Sequence, residues 1–258
     1  MPSVAAKALP RPAPDHPPAD GFPLDFTMAF QPIVDVDGGG VFAYEALVRG
    51  AGGEGAAHVL GEVNSANRGV FDRDCRVRAI QLAHRLGAVE AGASVSINMM
   101  PTSIGDPANG IGHTLTAADE AGFPAERIIL EFTEHEPLDI ELVRRIIHTH
   151  RKWGFRTAID DFGAGHSGLT LLAELQPDIV KLDMALVRQI DTSRVKQVIV
   201  GSITRMCDDL GLVVVAEGIE TEGEFTSLRD LGVRLMQGFL LAPPAFEALP
   251  VPVLPEAA

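Results

Sequence analysis

The apolar residues of this chain fall into short runs that alternate with longer segments of helical spacing. Apolar runs at 27–34 and 41–47 predict two strands, and the short glycine-rich turn between them makes these strands antiparallel neighbours. Later apolar runs predict strands at 94–98, 128–133, 156–160, 179–182, 212–216 and 234–239. Apolar residues at helical spacing predict helices at 72–86, 139–152, 167–175, 194–210 and 221–231.

This alternation predicts the fold class. Eight predicted strands, about six of them followed by helices, favour a closed β/α barrel over an open sheet. The opening hairpin makes one strand antiparallel, so we expect a modified TIM-type β/α barrel over residues 23–246. Residues 1–22 are rich in Pro and Ala without periodicity, which predicts a disordered leader. Residues 247–258 are predicted to be a C-terminal tail that leaves the barrel.

Composition narrows the classes of function. The net charge is −14 and no Lys or Arg run forms a basic stripe, which argues against a duplex nucleic-acid binder. Cys75 and Cys207 are too few for a disulfide framework or a zinc site, and both lie in helical patterns. We therefore expect buried thiols and a cytoplasmic protein. The N-terminus has no secretory apolar core, and no apolar segment approaches the roughly 20 residues that cross a bilayer.

Two adjacent carboxylates, Asp160 and Asp161, follow one of the apolar runs and precede a glycine-rich turn. Carboxylates at a strand end can hold a divalent cation against a substrate. They can equally cap the helix that follows. This stretch alone does not decide between the two interpretations.

The ends of the other strands favour the metal interpretation. In a β/α barrel the site forms at the carboxyl ends of the strands. Polar residues stand at or near most of these ends: Glu45, Asn98, Glu131, Asp160, Asp161, Lys181, Glu217 and Gln237. Oxygen ligands without His or Cys suit Mg²⁺ or Mn²⁺ rather than Zn²⁺. Adjacent aspartates can bridge two ions, and ions roughly 3.5–4 Å apart serve in-line displacement at a phosphodiester.

Some of these residues can also be interpreted as structural rather than as metal ligands. Glu45 could form a rim salt bridge with Arg49, and Asn98 could cap a turn. Glu131 and Glu134 are separated by an odd number of positions, so only one enters the site, and Glu131 is the better candidate. Lys181 lies in an apolar run, so we expect a carboxylate partner beside its ammonium. His166 is a candidate base, although a loop histidine is at least as good an interpretation.

Several blocks together resemble the EAL-domain cyclic di-GMP phosphodiesterases. They occur in the family's order and cover about residues 25 to 243. The blocks are 30–35 (Phe-Gln-Pro-Ile-Val-Asp), 45–49 (Glu-Ala-Leu-Val-Arg), 96–98 (Ser-Ile-Asn), 131–134 (Glu-Phe-Thr-Glu), 160–163 (Asp-Asp-Phe-Gly), 180–183 (Val-Lys-Leu-Asp), 216–221 (Ala-Glu-Gly-Ile-Glu-Thr) and 237–239 (Gln-Gly-Phe).

The resemblance implies hydrolysis of cyclic di-GMP to linear pGpG with two divalent cations, Mg²⁺ or Mn²⁺. It implies these metal ligands: Glu45, Asn98, Glu131 and Asp160 for one ion, with Asp160, Asp161 and Glu217 for the other. It implies catalytic roles for Lys181, Glu217, Glu134 and Gln237. It implies substrate contacts from Gln31, Leu47, Arg49 and Gln237. The resemblance also implies a homodimer. The 22-residue leader is too short to hold a regulatory domain, so we expect any regulation to come through the dimer surface or a separate protein partner.

Two departures from the family pattern bear on activity. Gly50 stands where the family usually has Trp, and residues 162–168 read Phe-Gly-Ala-Gly-His-Ser-Gly rather than Phe-Gly-Thr-Gly-Tyr-Ser-Ser. Neither change removes a metal ligand, but the loop change affects the expected rate and dimer coupling. A catalytically silent nucleotide sensor is the second hypothesis, and a barrel enzyme acting on a small phosphorylated metabolite is the third.

Overall fold

The chain opens with an antiparallel hairpin of β1 (Phe26–Asp35) and β2 (Gly40–Gly50). The computed structural model describes residues 22–101, 111–133, 139–165 and 168–255. Six parallel strands follow the hairpin: β3 (Ser94–Asn98), β4 (Ile128–Thr133), β5 (Arg156–Phe162), β6 (Ile179–Leu182), β7 (Val213–Ala216) and β8 (Leu235–Met236). Their order in the sheet is the order in the chain.

The first strand closes the barrel. It pairs antiparallel with β2 along most of its length and antiparallel with β8 at Val34 and Asp35. All the other neighbouring strands from β2 to β8 are parallel. The predicted modified TIM-type barrel with one antiparallel strand is therefore confirmed.

Helices cover the outside of this barrel. They are α1 (Ala56–Leu60), α2 (Arg68–Arg85), α3 (Gly112–Ala121), α4 (Ile140–Lys152), α5 (Gly168–Leu175), α6 (Met184–Val187), α7 (Arg194–Leu210) and α8 (Glu222–Asp230). Asp139, Ser193 and Thr221 cap α4, α7 and α8 by accepting backbone N–H bonds at the first turn. Cys75 and Cys207 are buried in α2 and α7, so the expectation of buried thiols is confirmed.

Two apolar layers hold the barrel together. The larger lies between the strands and the outer helices. The smaller fills the barrel interior with one residue from almost every strand, namely Ile33, Ala43, Ile129, Ala158, Ile179, Val215 and Leu235. We call this inner layer the barrel floor, because the polar side chains of the site lie directly above it.

The C-terminal segment does not leave the barrel. A short strand, β9 (Ala245–Phe246), pairs antiparallel with β1 at Ala29 and Phe30. Further along, the Tyr44 hydroxyl donates to the Pro250 carbonyl at 3.3 Å. Pro250, in the segment predicted to be a tail, therefore contacts the barrel. The predicted leader lies almost wholly outside the described residues. No described helix is both long and apolar enough to cross a membrane.

Candidate metal centre

The site residues stand one layer above the barrel floor. Strand side chains alternate between faces, so a residue two positions beyond an inward-facing one also faces inward. Ala43, Ile129, Ala158, Ile179, Val215 and Leu235 of the floor are followed at that spacing by Glu45, Glu131, Asp160, Lys181, Glu217 and Gln237. Gln31 precedes Ile33 at the same spacing, because β1 runs the opposite way. The strand period thus gathers these side chains at the carboxyl end of the barrel.

Lys181 lies at the centre of the carboxylates. Its Nζ atom is 2.6 Å from Glu217, 2.8 Å from Glu131, 3.1 Å from Asp160 and 3.7 Å from Glu45. Burial by itself lowers the pKa of Lys181, but the four carboxylates raise it well above its usual value. The expected carboxylate partner of this lysine is present, and the ammonium keeps its proton.

One lysine cannot neutralise four ionised carboxylates. Burial raises the pKa of Glu131 to about 8, although Lys181 opposes the change. Burial likewise raises the pKa of Glu217 well above its usual value. Ser96, which is fully buried, donates its hydroxyl to Glu131. A divalent cation among these groups would supply the missing positive charge.

Two amides orient Glu45. Gln237 donates from Nε2 to Glu45 Oε2 at 2.6 Å, and Asn98 donates from Nδ2 to Glu45 Oε1 at 3.2 Å. Gln237 also donates to Gln31 Oε1 at 3.2 Å, and Gln31 donates to the Ala242 carbonyl at 3.1 Å. Side chains on or directly after β1, β2, β3 and β8 therefore form one hydrogen-bonded group around the Glu45 carboxylate.

The side chains of the adjacent residues Asp160 and Asp161 converge because the backbone turns at Asp161. Neighbouring strand residues normally face opposite ways. Here the β5–β6 register shifts between Ile159 and Phe162, and Asp161 has a φ of 56°, which is unusual for a residue with a side chain. As a result, carboxylate oxygens of Asp160, Asp161 and Glu217 all lie within 4.8 Å of one another.

These residues fit a hard divalent cation. Buried oxygens Asp160 Oδ1 and Gln237 Oε1 accept no hydrogen bond in the described part of the chain, although Lys181 Nζ is 3.1 Å from the former. Acceptor-rich sites of carboxylate and amide oxygens suit Mg²⁺ or Mn²⁺. The converging group of Asp160, Asp161 and Glu217 offers three such ligands.

An open cleft of about 310 Å³ leads to the centre and is lined in part by Glu45, Asp161, Glu217 and Gln237. Two other lining residues had no predicted role: Phe239, which ends the block 237–239, and Arg188. The Phe239 side chain is 62% exposed, and Arg188 forms a forked ion pair with Glu220. The position of Phe239 directly after Gln237-Gly238 was a usable signal. The Arg188–Glu220 pair joins two loops and leaves no pattern in the sequence.

The remaining predicted residues lie at the rim or outside the described chain. Arg49 donates to the Val48 carbonyl at 2.8 Å, and the described side chains show no ion pair between Arg49 and Glu45. Leu47 borders a separate apolar cavity of about 320 Å³ together with Asn98. Glu134 and His166 lie outside the described residues, so their proposed roles stay predictions. Asp183, in one of the resembling blocks, accepts a capping bond from the Ala185 N–H at 2.8 Å at the start of α6.

The chain matches a known domain and several known proteins. Residues 24–244 match the EAL domain. The antirepressor BluF of Escherichia coli is 30% identical over 230 residues, which cover 88% of this chain and 56% of BluF. The cyclic di-GMP phosphodiesterase NbdA of Pseudomonas aeruginosa is 32% identical over 241 residues, covering 88% of this chain and 29% of NbdA. The chain thus spans only part of the length of these relatives.

Solved structures share the fold. A standalone EAL protein of Vibrio cholerae, in its c-di-GMP-bound form, is 46% identical with a TM-score of 0.86. The match covers 90% of this chain and 97% of that one. The BlrP1 protein of Klebsiella pneumoniae, in a manganese and cyclic di-GMP complex, is 35% identical with a TM-score of 0.81. That match covers 93% of this chain and 60% of BlrP1.

Proposed function

Because the chain belongs to the EAL domain family, we propose that it is a metal-dependent phosphodiesterase that hydrolyses cyclic di-GMP to linear pGpG. The observation that carries this proposal is the set of four carboxylates around Lys181. Asp161 and Asn98 complete the set of metal ligands that the family resemblance implies. The activity in the name of NbdA, and the nucleotide bound in two similar structures, support the same substrate.

Two divalent cations would be held by the chain's carboxylates and one amide. Glu45, Asn98, Glu131 and Asp160 would hold one, while Asp160, Asp161 and Glu217 would hold the other. Bound there, Mg²⁺ or Mn²⁺ would activate water and offset the charge that develops on phosphorus. Manganese in the BlrP1 complex supports a site of this kind.

The chain's own residues then orient the reactants. Lys181, whose Nζ atom lies among the four carboxylates, would contact the attacking water and help to orient it. Gln237 positions that water or the substrate through its amide. Gln31, Leu47 and Arg49 contact the nucleotide. Glu134 fixes the glycine-rich loop after Asp161, a role carried by the resemblance alone.

Direct assay of the purified protein tests the proposal. With cyclic di-GMP and Mn²⁺ or Mg²⁺ we expect pGpG, and we expect Glu45→Ala to abolish its formation. Glu120→Ala, on the exposed surface of α3, is the matched control and should keep full activity. Absence of linear product from the metal-loaded protein would contradict the proposal.

A silent sensor is the second candidate function. One relative, BluF, is named as an antirepressor rather than as a phosphodiesterase. The variant loop after Asp161 is also consistent with slow turnover. A sensor would bind cyclic di-GMP but form no product, and its Glu45→Ala variant would still bind the nucleotide. In an enzyme, Glu45→Ala would abolish turnover.

A homodimer remains part of the proposal. Leu169 on α5 and Val195, Val198 and Ile199 on α7 expose between 41% and 68% of their surface. Exposed apolar side chains grouped on neighbouring helices favour a protein contact. Light scattering should give a dimer mass, and Val198→Glu should yield monomer if this surface is the contact. Regulation by a separate protein partner stays a prediction.

A further inference from the structure

The segment that carries Asn98 is anchored to an outer helix. Asn98 ends β3 and is exposed, and its amide donates to Glu45. The next N–H, of Met99, donates to the Glu131 carbonyl at 3.0 Å and extends the parallel sheet. The N–H of Met100 instead leaves the sheet and donates to Asp72 Oδ1 at 2.8 Å.

Asp72 belongs to a buried polar chain between two outer helices. It lies on α2, is 3% exposed, and forms an ion pair with Arg76 one turn further along the same helix. Arg76, also 3% exposed, donates from Nε to Thr114 Oγ1 on α3 at 3.0 Å. The backbone just beyond Asn98 is thereby connected to α2 and α3.

Stability alone is a weak explanation for this arrangement. A buried ion pair rarely stabilises a fold better than apolar side chains of the same volume. The two oxygens of Asp72 have different partners, because Oδ2 meets Arg76 while Oδ1 accepts from Met100. A hydrogen bond from a backbone N–H to a carboxylate is among the stronger kinds. The ion pair therefore holds a carboxylate oriented toward the backbone next to the site.

Packing around this segment leaves room for movement. Asp72, Asn98, Met99 and Met100 all border the apolar cavity of about 320 Å³ between the barrel wall and α1 and α2. Side chains that face a cavity have fewer neighbours to restrain them. The Asp72 hydrogen bond therefore provides a restraint that packing supplies only in part.

We propose that Asp72 is a positioning residue for the metal centre, acting through the Met100 N–H to fix the direction of Asn98. The inference rests on the proposed function only in taking Asn98 as a metal ligand. Residues that orient metal ligands typically change metal affinity about 10- to 100-fold when they are lost. Asp72 does not touch the substrate or the cations.

The test distinguishes the Asp72–Met100 hydrogen bond from the Asp72–Arg76 ion pair. Asp72→Asn keeps an oxygen for Met100, so its Mn²⁺ affinity should stay within about threefold of wild type. The double variant Asp72→Leu, Arg76→Met removes both charges without leaving either unpaired. We expect it to fold, but to bind Mn²⁺ about 10- to 100-fold more weakly by calorimetry, as is typical when a metal ligand loses its orienting partner. Hydrogen exchange at the Met100 amide should accelerate in the double variant only.

A matched control lies in the same network. Thr114→Val removes the hydroxyl that accepts from Arg76 Nε but leaves the Asp72–Met100 bond, so Mn²⁺ affinity should not change. Should the double variant unfold, Met100→Pro removes the donor itself and should weaken Mn²⁺ binding to the same degree. Wild-type affinity in the double variant or in Met100→Pro, or an equal loss in Thr114→Val, would overturn the proposal. Wild-type protein that binds Mn²⁺ but forms no pGpG would overturn only the proposed function.

Discussion

Lys181 and Glu131 face each other inside the barrel, with Nζ of the lysine 2.8 Å from Oε2 of the glutamate. Both side chains are almost completely buried. Three more carboxylates surround the same ammonium, so the lysine is the common counter-charge of the centre. Without metal, this one cation holds together groups that otherwise repel one another.

The lysine should therefore matter for stability as well as for catalysis. Lys181→Met removes the counter-charge and leaves the buried carboxylates unpaired. Loss of one partner from a buried ion pair typically costs about 3–5 kcal/mol, so we expect a loss of that size in the free energy of unfolding without metal. Urea unfolding with and without Mn²⁺ measures it, and Mn²⁺ should restore part of the loss.

Lys181→Arg is the control for charge. It keeps the positive charge but changes its shape, so it should recover stability more than turnover. If Lys181→Met were as stable as the wild type in the absence of metal, the lysine would not be the common counter-charge described here.

Asp161 offers a test of the two-ion arrangement. Asn tolerates the positive φ of 56° at this position, so Asp161→Asn should fold normally. It removes one charged ligand from the group with Asp160 and Glu217, and titration should show one tightly bound Mn²⁺ instead of two. Asp161→Val should also strain the backbone by about 1–2 kcal/mol. Two ions bound as tightly as in the wild type to Asp161→Gly, which tolerates the positive φ and keeps no side-chain ligand, would exclude Asp161 as a ligand.

The strand period explains how much of the site the sequence could predict. Glu45, Glu131 and Lys181 could be assigned because each follows an apolar run, and parallel strands end at the same edge of a barrel. Contacts between these side chains could not be read from spacing, since they join positions 50 or more residues apart. The positive φ at Asp161, which lets adjacent aspartates converge, also has no signature in the residue types.

Elements without a clear apolar period were missed. Helix α1 has five residues and α3 is rich in Ala and Thr, so neither shows a regular apolar stripe. Strand β9 was also missed, because it has only two paired residues and lies in a proline-rich segment. The hydrogen bond between Asp72 and the Met100 N–H joins positions 28 residues apart. Its donor is a backbone group that almost every residue carries, so the residue types do not predict it.

His150 should make the fold sensitive to acid. It is 2% exposed, and burial, helped by the nearby charge of Arg76, lowers its pKa to about 3. In the unfolded chain His150 becomes protonated near pH 6.5, whereas in the folded protein it becomes protonated only near pH 3. Stability is therefore complete above about pH 6.5 and falls by about 1.4 kcal/mol for each pH unit below it.

Urea unfolding between pH 7 and pH 4.5 measures this slope. His150→Leu should reduce the pH dependence by about one proton. His148→Gln, an exposed position on the same helix, should leave it unchanged. An unaltered slope in His150→Leu would assign the acid sensitivity to other groups.

Gly238 lies where two site loops touch through their backbones. A Cβ atom at this position would stand 2.1 Å from the Ile219 oxygen and 2.3 Å from the Ile219 nitrogen. The same backbones are hydrogen-bonded, because the Ile219 N–H donates to the Gln237 carbonyl at 3.2 Å and the Leu240 N–H donates to the Ile219 carbonyl at 3.1 Å. A side chain at 238 must therefore separate the loops that follow Glu217 and Gln237.

Gly238→Ala should accordingly lower both stability and turnover. Overpacking against backbone typically costs about 1–3 kcal/mol in the free energy of unfolding. Turnover should fall further than stability explains, because Gln237 and Glu217 move apart at the centre itself. Gly40→Ala is the matched control, since a Cβ there meets nothing within 4 Å, and it should change neither quantity. Urea unfolding and the pGpG assay, run on both variants under conditions where each is fully folded, separate the two effects. Equal turnover in Gly238→Ala and Gly40→Ala would mean that the contact with Ile219 does not set the position of Gln237.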